Sequence, residues 1–135
     1  MDRKDFLLKG CALCSVASVI TYLDSCSSGN SYYTKFNFTI DLSNSANAAL
    51  GTVGGYVIQN NAIVIKTSTG YKALSLICTH QGCTVRYVTS QQEFQCPCHG
   101  GLYDSNGNVL AGPPPQALQK LNVTQNGNVL TVASQ

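Results

Sequence analysis

The chain has 135 residues, enough for one domain with a short appendage, and its 44% hydrophobic content supports a single core. Charged residues make up only 10% and the net charge is +2, too weak a balance to argue for nucleic acid as a partner. No internal repeat is evident in the sequence.

Residues 1–28 differ in character from the rest. Arg3, Lys4 and Lys9 make a basic start, diluted by Asp2 and Asp5, and residues 10–23 then run without a charge. That run is shorter than the ~20 residues a membrane-spanning helix needs, but it suits the apolar region of an export signal. Arg3-Lys4-Asp5-Phe6-Leu7 resembles a twin-arginine signal with lysine in place of one arginine. Leu23-Asp24-Ser25-Cys26 looks like a lipoprotein cleavage box in which Cys26 becomes the acylated N-terminus, although Asp24 is an unusual occupant. The alternatives are a free or buried cysteine, or simple cleavage near Ser25. Cys11 and Cys14 form a C-x-x-C pair, which within an apolar signal reads as two small apolar side chains. Residues 29–32 read as a polar tether.

From Tyr33 onward the pattern changes to short alternating runs split by turn residues. Phe36, Phe38 and Ile40 alternate with polar neighbours, as a half-buried strand requires. Residues 46–50 are the one stretch compatible with a helical turn. Residues 57–59 and 62–65 flank Asn60-Asn61, a pair that tolerates the left-handed conformations of a two-residue hairpin turn. Thr69-Gly70 turns the chain into a strand over 71–77 that delivers Cys78. Residues 85–88 and 94–96 make another pair. Asn106-Gly107 and Asn126-Gly127 mark two more hairpins, the second joining 121–124 to 129–132. Many short strands predict an all-β domain over 33–135, a small antiparallel sandwich or barrel with functional loops at its hairpin tips.

Two half-motifs lie in those tips: Cys78-Thr79-His80-Gln81-Gly82-Cys83 and Cys96-Pro97-Cys98-His99-Gly100-Gly101. Together they hold both histidines and four of the seven cysteines. Thiolate with imidazole suits zinc, copper or iron–sulfur and excludes hard oxygen-seeking cations. A structural Cys2His2 zinc site usually keeps its cysteines in one arm and its histidines in the other, whereas each arm here is mixed. A mixed arm fits an iron–sulfur centre with two cysteines on one iron and two histidines on the other. A purely structural cysteine framework is the third reading.

The arms resemble the C-x-H…C-x-x-H pattern of the Rieske iron–sulfur family, with residues 81–95 between His80 and Cys96. The resemblance implies a [2Fe–2S] cluster held by Cys78 and Cys96 on the inner iron and by His80 and His99 on the outer one. It implies a Cys83–Cys98 disulfide of the kind found in the high-potential members, worth roughly 3 kcal/mol for a loop of about fifteen residues. Gly82 and Gly100 become candidates for backbone N–H donation to cluster sulfur, since glycine permits close approach. Gly112-Pro113-Pro114-Pro115 is similar to the family's proline loop, a stiff cover over the cluster. Tyr103 matches a tyrosine that bonds a ligand thiolate. Gly101 stands where respiratory members carry a serine that bonds a bridging sulfide, which implies a potential below theirs, within the family range of about −150 to +300 mV. Gln81 replaces the leucine usual in quinol-oxidising members and weakens the case for quinol docking there.

The implied function is one-electron transfer on the outer, periplasmic side of a bacterial membrane, with attachment through an N-terminal lipid. Electrons would pass from a quinol or a partner oxidoreductase to a c-type cytochrome, so enzymatic activity would belong to a complex rather than to this chain. Two identities compete: the iron–sulfur subunit of a quinol–cytochrome c reductase, and the small subunit of a periplasmic molybdenum oxidase such as arsenite oxidase. A cytosolic Rieske ferredoxin of an aromatic-ring dioxygenase fits poorly with Cys83, Cys98 and the signal. A zinc domain would be redox-silent.

Overall fold

In the computed structural model, residues 33–114 and 116–135 are described. The expected export signal, the tether, Cys11, Cys14, Cys26 and Pro115 lie outside them. Ten strands follow one another: β1 (Asn37–Asp41), β2 (Tyr56–Gln59), β3 (Ala62–Thr67), β4 (Gly70–Ser75), β5 (Arg86–Val88), β6 (Glu93–Gln95), β7 (Leu102–Tyr103), β8 (Val109–Ala111), β9 (Lys120–Asn126) and β10 (Val129–Ser134). They form a curled six-stranded antiparallel sheet in the order β1-β10-β9-β4-β3-β2, and a four-stranded antiparallel sheet in the order β5-β6-β7-β8. The all-β expectation holds.

The hairpins form where the turn chemistry places them. Asn60 and Asn61 take φ of +52° and +58°, the doubled left-handed pair whose twist matches the flanking strands, and Gln59 pairs with Ala62 across them. The expected helical turn at 46–50 is a 3-10 helix over Ser45–Gly51, capped by the Asn44 side chain on the Ala46 N–H. Strand β4 is shorter than expected: regular pairing stops at Ser75, whose hydroxyl accepts the Ile77 N–H, and Ile77 re-enters only as a single bridge to Thr84. That local hydrogen bond takes the chain out of the ladder just before Cys78.

Strand β3 is buried on both faces and reads as an unbroken apolar run for that reason. Ala62 and Val64 face one core, with Phe36, Ile40, Leu50, Leu130 and Val132. Ile63 and Ile65 face a second core, shared with Leu74, Leu76, Val85, Phe94, Tyr103 and Leu118. Cys78 and Cys96 belong to this second core, so the four-stranded sheet is anchored through the residues that lead into the two motifs. Residues 116–120 sew the sheets together: the Leu118 N–H donates to the Gly107 carbonyl and the Ser75 N–H to the Gln119 carbonyl, after which β9 pairs with β4.

Phe94 has no exposed surface, and truncation to Ala should cost about 3–5 kcal/mol, read as a lowered melting temperature. The turn at 104–108 gives a pH test. Asp104 Oδ1 accepts the N–H groups of Asn106 (2.8 Å) and Asn108 (2.9 Å). Slight burial raises its pKa, but bonds from Asn108 and Asn106 and the nearby Lys72 outweigh this and hold it below the ordinary 3.8. A depressed folded pKa supplies stability above the unfolded value and loses it as pH falls through the folded one. Hydrogen-exchange protection of the Asn106 and Asn108 amides should therefore drop as pH falls below 3.8, with no such step in Asp104→Asn.

Candidate metal centre

Two loops of the same design carry the site, one from Cys78 to Cys83 beyond β4 and one from Cys96 to Gly101 beyond β6. In each, the N–H of the leading cysteine donates to a carbonyl five residues on, Cys83 at 2.7 Å or Gly101 at 2.8 Å. Its own carbonyl accepts the N–H of a glycine four residues on, Gly82 at 2.9 Å or Gly100 at 3.0 Å. Gly82 and Gly100 hold φ of +74° and +72°, where a side chain would be strained. Their N–H groups, which the sequence offered as donors to cluster sulfur, close the turns on the carbonyls of Cys78 and Cys96. The sulfur-facing donors are the two N–H groups that precede each glycine: His80 and Gln81 on Cys78 Sγ, and Cys98 and His99 on Cys96 Sγ.

Cys78 and Cys96 are 1% and 3% exposed, and both are free thiols. Burial raises the Cys78 pKa, but the Tyr103 hydroxyl, the His80 and Gln81 N–H groups and the Cys96 thiol outweigh it, leaving Cys78 below an ordinary thiol. Cys96 is held above its ordinary value by burial and by its bond to Cys78. Tyr103, fully buried with its hydroxyl 3.4 Å from Cys78 Sγ, is pushed up to about 12 by burial and by that contact. Cys83 and Cys98 are joined in a disulfide with Cα atoms 6.5 Å apart, which fastens one loop to the other. Half-buried His80 and exposed His99 meet edge to face, with ring centroids 4.8 Å apart.

The donor set suits a two-centre group. His80 Nδ1 is buried without a hydrogen-bond partner, an orphan that a metal bond would satisfy. Four donors on one tetrahedral zinc would crowd within about 4 Å of one another. Among the described residues, the only metal-type donors gathered in a group of three within 4.8 Å are the sulfurs of Cys83, Cys96 and Cys98, and the disulfide occupies two of these. Cys78, His80, Cys96 and His99 instead divide into a buried sulfur pair and an outer imidazole pair.

The proline segment closes on the second loop at contact distance. A methyl on Gly112 would come within 2.8 Å of the Gly101 Cα, and one on Gly101 within 2.6 Å of Pro114 Cγ. Pro114 thus fills the space a serine side chain would need at 101. Thr79 is the residue that sequence reasoning missed. It is 1% exposed, and its hydroxyl donates to the Gln116 carbonyl at 2.6 Å beside the Tyr103 hydroxyl. A threonine between two ligand-type residues reads as loop filler until its distant partners are known.

A cross-linked pair of Cys/His loops on an antiparallel β scaffold defines an iron–sulfur electron-transfer domain. Residues 40–122 match the Rieske [2Fe–2S] domain, and the chain belongs to that family. It is 36% identical over 73 residues, 54% of this chain and 40% of the relative, to a cytochrome b6-f complex iron–sulfur subunit of a Synechococcus strain. The chain thus spans about two fifths of the length of that curated relative. A cyanobacterial plasma membrane Rieske protein from Synechocystis PCC 6803 superposes with TM-score 0.53 at 26% identity, over 69% of this chain and 97% of that one. A chain of a hyperthermophilic respiratory Complex III superposes with TM-score 0.52 at 25% identity, over 94% of this chain and 89% of that one.

Replacing Cys83 and Cys98 together by serine should cost about 3 kcal/mol. The variant should melt lower and release iron faster to a chelator than the parent, while a wild-type release rate would show that the backbone turns suffice.

Proposed function

We propose that Cys78, His80, Cys96 and His99 hold the [2Fe–2S] cluster. The proposed carrier domain, residues 33–135, works outside the cytoplasmic membrane, moving single electrons from a quinol or partner oxidoreductase to a c-type cytochrome. The observation that carries this reading is the sorting of donors: two sulfurs sealed in the core and two imidazoles meeting at the tip, with the loops bolted together by Cys83–Cys98. When bound, the cluster supplies reversible one-electron exchange at a potential set by its ligands and by hydrogen bonds to sulfur.

The chain's own residues do the rest. N–H groups of His80, Gln81, Cys98 and His99, with the Tyr103 hydroxyl, place partial positive charge around the two thiolates and favour the added electron. The disulfide and the paired turns limit how far the ligands move when that charge arrives. Exposed His99 offers the edge through which a partner comes within tunnelling range. Pro113 and Pro114 cover the second loop with a segment that brings no N–H of its own.

The cytochrome b6-f and Complex III relatives support quinol and cytochrome as neighbours, and the disulfide fits a potential in the upper part of the family range. The missing hydroxyl at Gly101 supports a lower potential than serine-bearing relatives, and the polar Gln81 argues against quinol docking at that loop. Residues 1–28 are proposed to export the chain and to leave it anchored through acylated Cys26. No helix among the described residues is long and apolar enough to cross a membrane.

Reduced protein should give a Rieske-type EPR signal with iron and acid-labile sulfide in equal amounts. Cys78→Ser and His99→Ala should bring both to background; full retention in both variants refutes the ligand assignment. A methyl at 101 already meets Pro114, so Gly101→Ala reports the displacement alone and Gly101→Ser adds the hydroxyl. Voltammetry should place Ser above Ala, and equal potentials would remove the hydroxyl from the account. Intact mass of membrane-extracted protein reads Cys26 acylation directly.

A further inference from the structure

Around Tyr103 three oxygens and one sulfur share few protons, and the count can be closed. The Thr79 N–H donates to Tyr103 Oη at 3.2 Å. The Thr79 hydroxyl has one proton, and at 2.6 Å from the Gln116 carbonyl, which can only accept, it is committed there. The Tyr103 proton is the one left, and two acceptors face it: Cys78 Sγ at 3.4 Å and Thr79 Oγ1 at 3.2 Å. Two hydroxyls normally bond at about 2.7–2.8 Å, so the second contact is stretched, whereas 3.4 Å suits the larger sulfur atom. A thiolate is also the stronger acceptor. The proton therefore lies on the sulfur side.

What keeps it there is Thr79. The Gln116 carbonyl, directly after the proline run, flanks the same Thr79 Oγ1 that Tyr103 touches. With the threonine hydroxyl gone, that carbonyl loses its donor, and Tyr103 Oη, the other neighbour of the same Thr79 Oγ1, is the hydroxyl that can turn toward it. We infer that Thr79 is a positioning residue: by occupying the Gln116 carbonyl it reserves the Tyr103 proton for Cys78 Sγ, and it joins the first cluster loop to the segment that follows the proline cover. Burial supports the assignment, because a 1% exposed hydroxyl with all its bonding directed to these two partners has no solvent to exchange them with.

This rests on Cys78 being a cluster ligand, and the experiment keeps the two apart by first recording iron content and the EPR signal of each variant. Thr79→Val removes the hydroxyl at nearly constant volume, Thr79→Ala does so with a smaller side chain, and Thr79→Ser retains it. In cluster-containing full-length protein, voltammetry should show one-electron reduction of Thr79→Val weakened about three- to tenfold, the upper figure being about 59 mV for a one-electron couple. Thr79→Ser should recover the parent value even where its melting temperature falls. In a Tyr103→Phe background the Thr79→Val shift should vanish, since its effect travels through the tyrosine proton. If Thr79→Val does not assemble, Thr79→Ala takes its place against Thr79→Ser. Parent potential in the cluster-bearing hydroxyl-free variants, or an equal shift in the Tyr103→Phe background, overturns the inference.

Discussion

The arrangement of this domain follows from placing two cysteine sulfurs inside an apolar core where they would have to carry charge. Cys78 and Cys96 are almost sealed from water, and an anion in such surroundings is unfavourable unless hydrogen bonds or a metal compensate it. Each feature of the site supplies part of that compensation. The turns aim successive N–H groups at each sulfur, Tyr103 adds a hydroxyl to Cys78, and the cluster that the family carries would take the remaining charge. The two sulfurs are not equivalent: Cys78 has the tyrosine and leans toward the thiolate, while Cys96 leans toward the thiol.

The two sheets divide the work. The six-stranded sheet contributes to both cores and leads into Cys78 beyond β4, whereas the four-stranded sheet leads into Cys96 and contributes Tyr103 and Phe94 to the second core. Residues 116–120 link them, and Thr79 reaches this same segment, so cluster loop, cover and intersheet seam share one set of hydrogen bonds. Gly101 and Gly112 show how closely the cover has settled. Pro114 occupies the space that a side chain at 101 would need.

Much of the site was legible before any coordinates. The Cys/His pattern specified thiolate and imidazole chemistry through residue type and spacing alone, and the asparagine-containing turns located hairpins because few residues tolerate positive φ. Elsewhere local pattern misled or was silent. Gly82 and Gly100 looked like sulfur donors, yet their N–H groups are needed to close the turns that aim their neighbours. The steric fit of Pro114 on Gly101, and the bonds from Thr79 to Tyr103 and Gln116, join residues far apart in sequence.

Composition, spacing and turn residues thus settled that the chain is a β domain with two soft-ligand arms, because donor chemistry and backbone permissiveness are properties of single residues and near neighbours. Which N–H groups face sulfur, which cysteine is the better thiolate, where the proline cover rests and which way the buried tyrosine proton points were set by long-range packing. Those depend on distances between segments that the order of the residues does not encode locally.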